Sequence, residues 1–164
     1  MTTNLVNVNG GKWEVIIPLA PVPASRPRVG RWGTYYAPTY KRWKAEAAEL
    51  LRPYWGTDTA TMDAVYVYVE AVAKRPQKLT KQYPHPDVDN YVKAALDAIT
   101  GAGVIWGDDK QVVMLFAYKR YALPDEEPHT RVVASLLDDI EFPTADNGDV
   151  YSLPAWQLTG TEGL

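Results

Sequence analysis

Five aspartates and two lysines are concentrated in one stretch of the chain, residues 86–113. Asp87 and Asp89 are two positions apart, Lys93 follows four positions after Asp89, and an aspartate doublet at 108–109 precedes an apolar run. Like charges this close need a cation or raised pKa values to coexist. Carboxylates are the hard oxygen ligands that Mg²⁺ prefers. The stretch therefore predicts a magnesium site whose chemistry is the cleavage of a phosphodiester.

A helix predicted over residues 88–102 positions most of these side chains. Its apolar arc is expected to face a sheet and consists of Val88, Val92, Ala95, Leu96 and Ile99. Asp89, Lys93 and Asp97 follow at intervals of four on an adjoining polar arc, which also carries Asn90. Asp89 lies at the border of the two arcs, so we expect it near the sheet surface and not out in solvent.

The aspartate doublet is positioned differently, because Gly107 and the doublet lead directly into a predicted strand. A strand that starts beside the start of the helix would bring Asp87, Asp89 and Asp109 within reach of one ion. Asp97 and Asp108 are expected to have supporting roles, as is Asn90. Lys93 lies one turn beyond Asp89 and could neutralise charge that builds up on a phosphate in the transition state.

Each of these acids also has a purely structural interpretation. Asp87 could be a helix N-cap, worth about 1 kcal/mol. Asp89 and Lys93 could form an i, i+4 ion pair worth a few tenths of a kcal/mol, about 0.2–0.5. The doublet could belong to a turn. A metal site accounts better for all four acids together, because two basic segments precede them in the chain.

The basic segments lie on the N-terminal side of the acids. Residues 26–44 contain six basic residues and no acid, and no acid occurs between Glu70 and Asp87. Since arginine and lysine pair with phosphates, these residues are predicted to contact DNA: Arg26, Arg28, Arg31, Lys41, Arg42, Lys44, Lys74, Arg75 and Lys78. For the first segment, taken alone, a solvated structural loop is an equally supported alternative.

The net charge of −3 conceals an uneven distribution. All 17 basic residues lie at or before Arg131, whereas six of the 20 acids follow Leu137. Residues 1–137 therefore carry +3 and the remainder −6. The working surface can thus be basic although the pI is acidic.

The order of predicted elements is β-α-β-α-β-β, which indicates an α+β domain with a single mixed or antiparallel sheet and two main helices. The predicted strands and helices are 13–17, 40–52 with Thr39 as N-cap, 64–73, 88–102, 111–120 and 130–137. Residues 1–12 are predicted to be a loose end and 18–38 a loop. Apolar side chains on both faces of 111–120 predict a central, covered strand.

The domain is expected to span residues 1–137, with 138–164 as an acidic tail that is flexible or docks on a partner. The chain has no cysteine and only two histidines, which makes a zinc site improbable. It also lacks a long apolar run and a secretory signal pattern. These features predict a protein of the cytoplasm, without a membrane partner.

At residues 86–93, 96–99 and 108–112 the sequence resembles the RusA family of Holliday-junction resolvases, endonucleases of phages and prophages. The shared pattern is D-x-D-N-x-x-K, a helix of fixed length and D-D-x-Q-V, in that order. A weaker match is the N-terminal segment rich in proline and arginine, followed by a tyrosine and a basic helix. The resemblance covers roughly residues 13–137.

The resemblance implies a homodimeric, Mg²⁺-dependent nuclease that nicks four-way DNA junctions symmetrically in recombination and repair, with Mn²⁺ able to replace Mg²⁺. The family's metal-binding aspartates fall on Asp87, Asp89 and Asp109, and its catalytic lysine on Lys93. The acidic tail lies outside the shared pattern and could bind a protein partner.

Two other functions are compatible with the same residues. One is a junction-binding or DNA-binding protein of this fold without catalysis. The other is a metal-dependent phosphoesterase that acts on a different substrate, for which the two basic segments would be superfluous.

Overall fold

The computed structural model describes residues 3–8, 11–26, 28–31, 33–55 and 60–137. The predicted acidic tail, 138–164, lies outside this part of the chain. Within it, no helix combines the length and the apolar character needed to cross a membrane.

In the described residues, a five-stranded sheet, a two-stranded hairpin and two helices form the domain. The strands are β1 (Asn4–Val8), β2 (Lys12–Ile17), β3 (Arg28–Gly30), β4 (Gly33–Tyr35), β5 (Val65–Ala73), β6 (Val112–Tyr121) and β7 (His129–Leu136). The helices are α1 (Pro38–Leu51) and α2 (Val88–Ala102), with short 3₁₀ helices at Arg52–Tyr54 and Asp109–Gln111.

The sheet has the order β1-β2-β7-β5-β6, and a separate hairpin pairs β3 with β4. Of the pairings in the large sheet, β5–β6 is parallel and the others are antiparallel. The predicted α+β class with one mixed sheet and two main helices is therefore confirmed.

The parallel pair decides where α2 lies. Two parallel neighbours cannot be joined by a tight turn, so the chain must cross over between them, and α2 forms the crossover. Val65, Val67 and Val69 of β5 are buried in the same core as Val92 and Ile99 of α2. Burial of each such side chain contributes roughly 1.5–3 kcal/mol, so this contact holds the site-bearing helix on the sheet.

The predicted helix 88–102 is confirmed with the same ends, but its buried face is wider than predicted. The buried residues are Tyr91, Val92, Ala94, Ala95, Ala98 and Ile99, whereas Val88 and Leu96 are only half-buried. The extra burial arises because α1 packs beside α2, so that the helix contacts two neighbours at once.

Three predictions for the N-terminal region are wrong. Residues 4–8 form β1, paired with β2, where a loose end was expected, and the predicted loop 18–38 contains the β3–β4 hairpin. Helix α1 begins at Pro38 with Ala37 at the N-cap, so Thr39 is not the cap. Proline suits the first helical position because its missing N–H would have no partner there.

The prediction of a central, covered strand at 111–120 is also wrong. Gln111 belongs to a 3₁₀ helix, and among the described strands β6 lies at the edge of the sheet, paired with β5. Its side chains Val113, Leu115, Phe116 and Tyr118 are 43–56% exposed. Apolar residues on both faces of this strand therefore do not mark a position covered by the described part of the chain.

We predict opposite effects of alanine at two glycines near the end of α2. Gly103 has φ +67°, and a Cβ there would lie 3.1 Å from the Trp55 ring, whereas a Cβ at helical Gly101 meets nothing within 4 Å. Gly103→Ala should lower the free energy of unfolding by about 1–2 kcal/mol. Gly101→Ala should raise it by about 0.5–1 kcal/mol. Urea denaturation measures both, and equal effects would contradict the left-handed helix end.

Candidate functional site

The two aspartates at the start of α2 have no partner among the described residues. Asp87 occupies the N-cap position, but its side chain accepts no capping hydrogen bond. Asp89 lies in the first turn and forms neither a hydrogen bond nor an ion pair within that part of the chain. Both residues are exposed. The N-cap and ion-pair interpretations therefore do not account for these carboxylates.

The exposure of Asp89 corrects the expectation that it lies near the sheet surface. At the helix start, the aligned peptide dipoles favour negative charge, so two ionised carboxylates are tolerated there. Two adjacent, exposed carboxylates with unused oxygens form a surface that attracts cations.

Lys93 pairs with Asp97 and lies near Asp109, whereas the sequence spacing had suggested an ion pair with Asp89. Its Nζ donates to Asp97 Oδ1 at 3.0 Å and lies 3.9 Å from Asp109 Oδ2. The hydrogen bond with Asp97 raises the pKa of Lys93, so the side chain is an ammonium group at neutral pH. Lysine has three donors, and the bond to Asp97 uses one of them.

Asp97 lies between the two helices. Its Oδ2 accepts a hydrogen bond from the Tyr40 hydroxyl of α1, and its side chain is only 22% exposed. Burial and the bond to Asp97 raise the pKa of Tyr40, so its hydroxyl remains a donor. The sequence had placed Asp97 on a polar arc of α2. The position of α1 makes it a contact between helices.

Asp108 has a structural role. Its side chain accepts from the Lys110 backbone N–H at 3.0 Å and caps the 3₁₀ helix. This hydrogen bond holds the pKa of Asp108 below its usual value. Asp108 is thus used as a cap, while the neighbouring Asp109 faces Lys93. The supporting role predicted for Asp108 at the site stays a prediction.

Gln111 ties the 3₁₀ helix to the segment before β5. Its Oε1 accepts from the backbone N–H groups of Gly107 and Asp108 at 2.9 and 3.0 Å. Its Nε2 donates to the carbonyl oxygens of Thr61 and Asp63 at 2.9 and 3.0 Å. The amide is fully satisfied, and it fixes the turn that carries Asp109.

A buried return segment connects α2 to this turn. Val104, Ile105 and Trp106 are fully buried, and Trp106 Nε1 donates to Thr100 Oγ1 at 2.8 Å. Ile105 has φ +66°, an unfavourable value for a β-branched residue. Packing and the hydrogen bond from Thr61 N to Ile105 O at 2.8 Å hold it there.

Two contacts position the approach to Asp87, and sequence analysis missed the first. Lys119 of β6 donates from Nζ to the carbonyl oxygen of Pro86 at 2.7 Å. The sequence did contain a signal for this contact. Lys119 continues the alternation of Val113, Leu115 and Ala117, so it lies on the face of β6 that is directed towards α2. In the second contact, the Ala24 N–H donates to the Asn90 carbonyl at 2.8 Å, so the Pro-rich segment lies beside the start of α2.

The predicted DNA-contacting side chains are exposed wherever they are described. These are Arg26, Arg31, Lys41, Arg42, Lys44, Lys74, Arg75 and Lys78. Arg28 lies in β3, but its side chain is outside the description. Lys74 follows β5, whose last residue Ala73 pairs with Tyr121. Because Lys119 holds Pro86 at this same end of β6, the second basic segment leads towards the start of α2. The first basic segment begins two residues after Ala24, which is bonded to Asn90 of α2.

The carboxylates suit Mg²⁺ in chemistry, but no convergence of three is seen. In the described ranges, no group of three or more histidine, aspartate or glutamate side chains is arranged to hold a metal ion. The metal ligation predicted for Asp87, Asp89 and Asp109 therefore stays a prediction. What the geometry brings together is Lys93 with Asp97 and Asp109.

Comparison with protein families gives one match. Residues 18–133, more than two thirds of the chain, match the family described as endodeoxyribonuclease RusA. The matched range contains both basic segments, α2 and the turn that carries Asp109. No curated protein matches the chain.

We predict that Gln111→Ala destabilises the protein by about 2 kcal/mol, because two backbone N–H groups and two carbonyl oxygens lose their partner. Amide hydrogen exchange at Gly107 and Asp108 should accelerate. Lys110→Ala is the matched control, since the Lys110 side chain is 87% exposed, and we expect a change within about 0.5 kcal/mol. Equal stability of both variants would argue against the anchoring role of Gln111.

Proposed function

The chain belongs to the endodeoxyribonuclease RusA family, and from this premise we propose that it resolves four-way (Holliday) DNA junctions by hydrolysing phosphodiesters in recombination and repair. The observation that carries the proposal is the pair of exposed carboxylates, Asp87 and Asp89, which have no partner among the described residues. Lys93, whose ammonium group is hydrogen-bonded to Asp97, follows one turn after Asp89. Within the described part of the chain, neither an N-cap hydrogen bond nor an ion pair accounts for them.

Lys93 would serve as the electrostatic group of the site. Its ammonium has donors beyond the one that binds Asp97, and its side chain is 60% exposed, so a phosphate oxygen can reach it. Charge that builds up on the phosphate during cleavage would be stabilised most strongly by a cation already in place.

We infer that Mg²⁺, or Mn²⁺ in its place, binds at Asp87, Asp89 and Asp109 together with the DNA. Mg²⁺ usually takes one or two protein carboxylates and completes its coordination with water and substrate phosphate. A site without three converging carboxylates in the free protein is compatible with such binding. When bound, the ion would polarise the phosphate and lower the pKa of a water molecule.

The basic segments would supply the DNA affinity. Their exposed side chains lie on both approaches to the start of α2 and can neutralise phosphates on different arms of a branched substrate. Contacts of this kind position a backbone without reading its sequence, which suits selection of DNA by shape.

A homodimer would provide the two equivalent sites that paired cuts require. We infer that the exposed edge of β6 forms its interface. β6 is ten residues long and carries four large, exposed apolar side chains, whereas the opposite edge strand, β1, has only five residues. Of the two β1 side chains that are described, Leu5 is buried and Val6 is exposed. A long apolar edge strand is a template for pairing with another chain.

The decisive test uses a synthetic four-way junction. We expect the wild type to cut it with Mg²⁺ or Mn²⁺, and to bind without cutting in Ca²⁺. Asp89→Asn should bind with unchanged affinity but cut at least about 100-fold more slowly, because it removes a charged oxygen from the ion's surroundings. Asp125→Asn is the matched control, since Asp125 is an exposed acid in the connection between β6 and β7.

Other outcomes would identify the alternatives. Equal cutting by Asp89→Asn would reject the site assignment. Salt-sensitive junction binding without cleavage at any metal concentration would indicate a DNA-binding protein without catalysis. Phosphoesterase activity that survives charge reversal at Arg28 and Arg31 would indicate a different substrate.

The proposed interface makes a separate prediction. Leu115→Glu should shift the protein from dimer to monomer in sedimentation experiments, because it places a charge in the apolar contact. Val6→Glu on β1 is the control and should leave the dimer intact. A dimer that survives Leu115→Glu and dissociates with Val6→Glu would assign the interface to the other edge.

A further inference from the structure

We propose that Tyr40 is a positioning residue, which acts through Asp97 to fix the ammonium group of Lys93 at the site. This inference rests on the proposed function, because it assigns Lys93 a place at the scissile phosphate. It adds a residue of α1 to a site otherwise built from α2 and the turn at 107–111.

The geometry of Asp97 is the first argument. Each oxygen of its carboxylate has a separate donor, with Tyr40 at Oδ2 and Lys93 at Oδ1. A hydrogen bond at one oxygen restricts rotation of the carboxylate. It therefore also fixes the direction in which the other oxygen is presented to Lys93.

The rigidity of Tyr40 is the second argument. Its side chain is only 4% exposed and belongs to the core that joins the sheet and both helices. The ring also contacts Tyr36 edge-on, with centroids 5.9 Å apart. Tyr40 is thus the ordered member of the contact, and its hydroxyl provides a fixed reference point.

The mobility of Lys93 is the third argument. Its side chain is 60% exposed and has four rotatable carbons, so packing alone does not fix its end. The described contacts of its ammonium are Asp97 at 3.0 Å and Asp109 at 3.9 Å. Because Asp109 is beyond hydrogen-bond distance, Asp97 determines the position of Nζ.

Loss of the Tyr40 hydroxyl would release the second oxygen of Asp97. The carboxylate could then turn and hold Lys93 with both oxygens, which draws the ammonium away from Asp109. Displacements of about 1 Å can lower a rate by up to about 100-fold. The defect would appear in the chemical step and not in DNA binding.

The test compares single-turnover cleavage and junction affinity in Tyr40→Phe, which keeps the ring. We expect cleavage to fall about tenfold, with the junction Kd changed by less than about twofold. In an Asp97→Ala background, Tyr40→Phe should have no further effect, because the connecting carboxylate is absent. If the two losses multiply instead, Tyr40 acts independently of Asp97 and the proposal is overturned.

Tyr54→Phe is the matched control. It also removes a tyrosine hydroxyl near α1, one that donates to the Thr3 carbonyl at 3.0 Å. We expect normal cleavage from this variant. Urea denaturation of both variants separates loss of activity from loss of folding.

A second measurement keeps the inference independent of cleavage. In the DNA-free protein, Tyr40→Phe should shift the NMR signals of the Asp97 carboxyl carbon and of the Lys93 ammonium nitrogen, and Tyr54→Phe should shift neither. An unchanged Lys93 signal overturns the positioning role. Shifted signals in a protein that cuts no junction would keep the contact and reject the proposed function.

Discussion

The half-buried carboxylate of Asp97 is the contact on which the arrangement of the site depends. Both helices lie on one face of the sheet, so this acid is enclosed between them and needs hydrogen-bond partners to offset its lost hydration. Tyr40 supplies one partner from the core and Lys93 supplies the other from solvent. The same contact therefore joins α1 to α2 and holds an exposed cation beside Asp109. The Asp97 side chain thus makes both the contact that joins the helices and the contact that positions Lys93.

The topology of the sheet explains why the charged segments meet. Because β5 and β6 are parallel, α2 must return along them and begins at the end where both strands finish. Lys119 of β6 holds Pro86 at that end, and Lys74 and Arg75 follow directly from β5. The Pro-rich segment reaches the same place through the hydrogen bond between Ala24 and Asn90. Two separate basic segments thus lead towards the start of α2, where Asp87 and Asp89 have no partner among the described residues.

The turn before β6 divides its two aspartates between structure and site. Asp108 caps the 3₁₀ helix, while Gln111 binds four backbone groups and fixes that helix against the segment at 61–63. With these groups satisfied, the Asp109 carboxylate is left to face Lys93. The unfavourable backbone conformation of Ile105 belongs to the same arrangement, because it directs the buried return segment into the turn that carries Asp109.

Local sequence was sufficient for α2 and β5. Their apolar periods are strong, and Gly103 ends the helix at a position that other residues disfavour, so α2 has the predicted bounds. The family resemblance was equally local, because its residues lie in a few short segments. Elements that depend on a distant partner were not predictable: β1 and the hairpin form through pairing, and β6 has the composition of a covered strand although it lies at an edge. The bond between Tyr40 and Asp97 joins residues 57 positions apart. Only the packing of α1 against α2 decides that contact, because periodicity within one helix specifies which face is polar but not what lies opposite it.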